Sequence, residues 1–140
     1  MQKEYKINQV NPSKGALDFS YLLDAPAGKH GFVQAKNGHL YYEDGTRARF
    51  LGFNMATRSN AVNHELAEKL AGRFASLGVN VIRLHAADAP IGEQERSWSS
   101  CKEAPLLDYE KGTSRFFHPE GLDRFDYFVA KLKEKGIYIH

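Results

Sequence analysis

The chain has one cysteine, Cys101, in its 140 residues. An intrachain disulfide and a cysteine-based zinc site are thereby excluded. A lone thiol suits a reducing compartment and also secretion, and its ordinary state is unreactive. Long hydrophobic runs are lacking too. No window approaches the roughly 18 apolar residues of a membrane span, and the start Met1-Gln-Lys-Glu-Tyr-Lys has no apolar run behind its charges to act as a signal peptide. As written the chain reads as soluble and without a membrane partner; cytoplasmic residence and secretion after removal of an upstream signal both stay open. Charge of one sign is also missing. Nineteen Lys and Arg stand against seventeen Asp and Glu, scattered among one another, so nothing electrostatic recommends a nucleic-acid partner. Neither G-x-G-x-x-G nor G-x-x-x-x-G-K-[ST] occurs, so no nucleotide cofactor is implied. His64, His118 and His140 lack metal-ligand spacing and read as cap, loop or strand residues, so no metal is expected either.

What is present is organised. A chain of this length falls within the size of one domain and can bury on the order of 70% of its unfolded surface. Residues 1–29 are polar and punctuated by Asn11-Pro12-Ser13 and Ala25-Pro26-Ala27-Gly28, which reads as a lead-in that wraps a surface. Residues 30–140 form the second unit. Its first part has short strand-like runs separated by Asn37-Gly38 and Asp44-Gly45, strong hairpin signals that predict a small β meander. Leu66, Leu70, Phe74 and Leu77 then recur at steps of four, four and three, predicting a helix with Asn63 as N-cap and Gly78 as its stop. A second helix is predicted from Pro119-Glu120 to Gly136, with Leu122, Phe125, Phe128, Val129 and Leu132 on one face.

Each helix stops at a glycine and leads into a strand. With Phe50 to Asn54 as a strand before the first helix, the order is strand, helix, strand, helix, strand, the alternation of a parallel α/β sheet. The segments leaving the strand ends are long, Met55 to Val62 and Ala86 to His118, and α/β enzymes build sites on such segments. One strand raises a question of its own. Gly78 to His85 reads GVNVIRLH, an apolar strand carrying Arg83 and His85, and a buried guanidinium needs a partner because it cannot shed its proton.

The run GHLYYEDGTRARFLGFNM, then LGVNVIRLH, a long loop and FFHPEGLDRFDYFVAKLKEKGIYIH resembles the N-terminal part of cellulase-type (family 5-like, clan A) glycoside hydrolases. Gly38 to Asn54 matches the hairpin G-x-L-x-x-x-D-G-x-x-x-x-F-x-G-x-N with which such chains begin, and the resemblance spans about residues 32–140. It implies the N-terminal part of a (β/α)8 TIM barrel, about three strands and two helices preceded by the meander. Phe50 to Asn54 would be the first barrel strand, Val79 to His85 the second, and Ile137 to His140 the third, in which the sequence stops.

By the same resemblance Arg83 matches an arginine beside the catalytic nucleophile, a glutamate of the seventh strand, so its partner is expected outside these 140 residues. The acid/base glutamate is expected after an asparagine ending the fourth strand. No catalytic residue is therefore assigned in this chain; Asp88, Glu93, Glu95 and Glu103 of the second loop have no spacing that marks a catalytic pair. Arg83, His85, Asn54 and Trp98 are the candidate substrate-binding or nucleophile-supporting residues: His85 shares the face of Arg83, Asn54 closes the first strand, and Trp98 offers an aromatic plane for a sugar ring. Two functional classes follow. One is a glycoside hydrolase acting on a β-linked carbohydrate, with this chain its N-terminal portion and inactive alone. The other is a non-catalytic sugar-binding or assembly fragment, able to self-associate or to pair with the rest of a barrel.

Overall fold

The computed structural model describes residues 17–89 and 105–140. A hairpin of β1 (Gln34–Lys36) and β2 (His39–Tyr41) precedes a parallel sheet of β3 (Gly52–Ala56), β4 (Val81–His85) and β5 (Tyr138–Ile139). Helix α1 (His64–Ser76) joins β3 to β4, and α2 (Pro119–Glu134) precedes β5.

Local chemistry sets the helix limits. The Asn63 side chain accepts a hydrogen bond from the Leu66 N–H at 2.9 Å, which caps α1. His118 caps α2 by accepting from the Gly121 N–H at 3.3 Å, and Pro119 occupies the first turn, where its missing N–H loses no helical bond. Gly78 and Gly136 follow the two helices at φ +74° and +82°, left-handed values that a side chain resists. The joins to the next strands are longer than a single glycine: Val79-Asn80 and Ile137 intervene before the ladders begin.

The two helices pack against each other and against one face of the sheet. Met55, Ile82 and Leu84 point from the strands into this layer, where they meet Ala67, Ala71 and Phe74 of α1 and Phe128 and Leu132 of α2. Ile82, Phe128, Leu132 and Ile137 are fully buried. Each such side chain stabilises the fold by about 1.5–3 kcal/mol, and truncating Phe128 to alanine would cost about 3–5 kcal/mol.

Strands follow one another in sequence order with both helices on the same side, the winding of a barrel, whereas a doubly wound sheet would reverse order and send a helix to the far face. The fold is thus α/β, and its layout is that of the first part of a (β/α)8 barrel.

The first barrel strand starts two residues later than the expected Phe50 and extends to Ala56. The cause is Asn80. Its side chain accepts from the Leu51 N–H at 2.7 Å and donates to the Arg49 carbonyl at 2.8 Å. The backbone of Asn80 also pairs with Leu51 and, on its other side, with Tyr138, so one residue sutures the entry of all three strands.

The hairpin turns at Asn37-Gly38, both with positive φ, as a two-residue connection of this kind requires. The third run of the meander meets β2 at the Tyr41–Arg47 bridge, through the Ala48 N–H to Leu40 carbonyl bond, and through the Arg47 guanidinium, which lies 3.0 Å from the His39 ring nitrogen Nδ1. Tyr42 then stacks on Tyr138 at 5.6 Å, and Phe50 meets Tyr138 edge-on at 5.5 Å, which fastens the hairpin beneath the sheet. Burial first, and the Tyr138 side chain second, push the Tyr42 phenol up to about 12. Residues 17–29 cross the C-terminal ends of both helices, where Phe19 donates to the Ser76 carbonyl and Ala27 to the Lys133 carbonyl, each at 2.9 Å.

Candidate functional site

Side chains alternate across a strand, so the residues that do not enter the core stand on the opposite sheet face. The ladder aligns Gly52 with Val81 and Val81 with Tyr138. One step further, Asn54 pairs with Arg83. His140 falls opposite Arg83 on the other side, since its N–H donates to Ile82 and its carbonyl accepts from Leu84. Ala56 pairs with His85 at the strand ends. The uncovered face therefore has an apolar lower row, Gly52, Val81 and Tyr138, and a polar upper row, Asn54, Arg83 and His140.

Together these rows line a concavity of about 540 Å³, closed at its lower end by Val33, Leu40 and Phe50 from the hairpin side. An apolar pocket with a few convergent polar groups is the ordinary form of a small-molecule site. Here the polar row stands on the C-terminal side of the apolar row, toward the end of the strands at which barrel enzymes carry their chemistry.

Arg83 is exposed, contrary to its expected burial. Nothing in the described residues covers the face it stands on, and a guanidinium in water needs no counter-charge. Its Nη1 donates to the Asn54 Oδ1 at 3.5 Å, a long bond to a neutral amide. Among the described residues no carboxylate forms an ion pair with it. Arg83 thus presents its charge, and most of its donors, to the concavity.

The remaining candidates divide. Asn54 is brought beside Arg83. His85 is exposed on the same face but lies beyond the concavity, and its carbonyl accepts from the buried Asn60 side chain at 2.9 Å. Trp98 lies outside the described residues, as do Glu93, Glu95 and Glu103. Asp88 is exposed, and its carbonyl accepts the Tyr109 hydroxyl. Residue-by-residue reading missed His140 and Tyr138 as lining residues. Their spacing of two was visible in Tyr138-Ile139-His140, but which face they share with Arg83 depends on register. Among the described residues no three His, Cys, Asp or Glu side chains gather as a metal site.

No protein-family model and no curated protein matches the chain. Among solved structures, it is similar to the crystal structure of a glycoside hydrolase family 5 protein from Bacteroides vulgatus, with a TM-score of 0.55 and 14% sequence identity. The match covers 84% of this chain and 25% of that one, so the chain spans about a quarter of the length of the structure it resembles. At that identity the likeness is one of fold alone: an α/β fold, matched over a partial barrel.

Proposed function

We propose that this chain supplies the opening strands of a retaining glycoside hydrolase barrel that cleaves a β-linked oligosaccharide or polysaccharide. The observation that carries the reading is Arg83, a cation without a carboxylate among the described residues, held beside Asn54 on the open face of a parallel sheet whose fold is glycosidase-like. A guanidinium placed there keeps a neighbouring glutamate ionised and oriented, since a close opposite charge lowers a carboxyl pKa. Asn54 and His140 supply hydrogen-bonding groups on either side, and the aromatic ring of Tyr138 below them offers an apolar surface to a sugar face.

Retaining hydrolysis needs two carboxyl groups roughly 5 Å apart, a nucleophile and an acid that then serves as base. In this reading both come from later barrel strands, and the 140 residues alone bind carbohydrate weakly and cleave none. The free sheet edges favour the second reading, an assembly fragment, only in so far as they need covering.

The two are separated by assaying a protein that carries the whole barrel beside the 140-residue chain, on aryl β-glycosides and soluble β-glucans, with product anomers followed by NMR. The longer protein is expected to release product with retained configuration and the shorter one none. Hydrolysis by the short chain that is lost on Asp88→Asn would place the carboxylates in the second loop and overturn the proposal.

A further inference from the structure

We propose that His30 is a pH-sensitive clasp fastening residues 24–31 to the turn that follows β2. The geometry is specific. One ring nitrogen, Nε2, contacts the Asp24 carboxylate of its own segment, and the other, Nδ1, lies 2.5 Å from Asp44 Oδ2 in the hairpin turn. A neutral imidazole has a single N–H and would turn a lone pair toward one of these carboxylates; only the imidazolium donates to both. The bridge is therefore a property of the protonated ring.

Every charged or titratable group around the ring has a stated place. From its own segment come Asp24 and Lys29, which pair with each other as well. From the turn come Asp44, anchored by the Thr46 N–H at 2.8 Å, and Tyr42, whose ring centroid lies 5.7 Å from that of His30. The Glu43 side chain packs against Gly31, so closely that a Cβ there would collide with it. Tyr42 in turn stacks on Tyr138, which lines the concavity. The clasp thus sits one aromatic ring away from the floor of the candidate site, and it stands whether or not that site cleaves glycosides.

The direction of the pH response follows from linkage. Asp24 first, and Asp44 with it, raise the His30 pKa above its usual 6.5 against the opposing effect of desolvation. A raised folded pKa gives stability that is complete below the unfolded value and is lost as pH rises through the folded one. Lys29 and then His30 lower Asp24; the Thr46 backbone N–H, more than His30, lowers Asp44. Those contributions are present above about 3.8, the usual value, and disappear as pH falls through the lowered ones. The clasp is closed between these limits and opens as pH rises through the raised His30 pKa. Because its members are largely solvated, salt weakens it.

Hydrogen exchange of the full 140-residue chain at low micromolar concentration tests this. Protection factors for peptides covering 24–31 and 42–47 are expected to fall about threefold or more between pH 6 and a pH about one unit above the measured His30 pKa, with those of α1 unchanged, a modest factor in keeping with solvent-screened charges. His30→Gln should give low protection at both pH values. Exchange at the histidine ring carbon reports the His30 pKa directly; it should lie above 6.5 and drop toward that value in the Asp24→Asn, Asp44→Asn double variant. A His30 that titrates at or below 6.5, or a pH response that survives in His30→Gln, would overturn the clasp.

Discussion

Arg83 reaches across the β3–β4 pair to Asn54, 3.5 Å away, and this neutral amide is its side-chain partner among the described residues. Two strands thus bring together a fixed positive charge and an acceptor that restricts its swing without neutralising it. In a barrel that carries the proposed carboxylates, Arg83→Ala should lower kcat by a hundredfold or more while KM moves less than about threefold. Truncating one member of a charge pair that the closed barrel desolvates costs about 3–5 kcal/mol, and here the loss falls on the transition state. Steady-state kinetics on an aryl glycoside decide the matter. A raised KM with unchanged kcat would make Arg83 a plain sugar-binding residue. Arg83→Lys, which keeps the charge but loses the planar fork, should fall between.

Much of the architecture is legible in the chain because it is written in local chemistry. Asn63, Gly78, Pro119 and Gly136 mark helix limits through caps and left-handed turns, and Asn37-Gly38 marks the hairpin. The site is less so. GVNVIRLH does not tell which of its faces is covered, and its apolar residues suggest a buried Arg83, although alternation sends Ile82 and Leu84 to the opposite side. The row of Asn54, Arg83 and His140 depends on the register of three strands, which Asn80 sets through bonds to Arg49 and Leu51 some thirty positions earlier in the chain. His30, Asp24 and Asp44 come from separate turns and share no motif at all.

Tyr42 gives a prediction on the alkaline side. Its phenol, raised to about 12 chiefly by burial and next by Tyr138, stays protonated in the fold while an unfolded tyrosine ionises near 10. The raised value contributes stability that is whole below about pH 10 and is lost as pH climbs through the folded pKa. The denaturation midpoint should therefore decline between pH 10 and 12, before Tyr42 itself ionises in the folded chain. Tyr42→Phe has no phenol to ionise and should flatten the decline while keeping the ring stack on Tyr138. An identical decline in the variant would show that the loss comes from elsewhere in the chain.

The sheet edges give the last prediction. Among the described residues, β3 pairs only with β4, and β5 likewise, so the outer sides of both strands carry unpaired backbone groups. Apolar side chains flank these edges: Leu51 and Phe53 are 62% and 41% exposed by β3, and Ile139 is 40% exposed on β5. A second apolar hollow, of about 420 Å³, runs along β5 between Phe32 and Val129. Open parallel edges with apolar flanks are templates for further strands, and a barrel removes them by closure. We expect the 140-residue chain to self-associate when alone, and a protein with the remaining strands to be monomeric at the same concentration. Sedimentation velocity over a tenfold dilution series measures both. Ile139→Lys should reduce the association by placing a charge where a second strand would have to dock, at a residue that is 40% exposed and not itself a member of the buried core. A sharply melting monomer of the unmodified short chain would mean that these edges are stable in water, and the inference that they await further strands would fail.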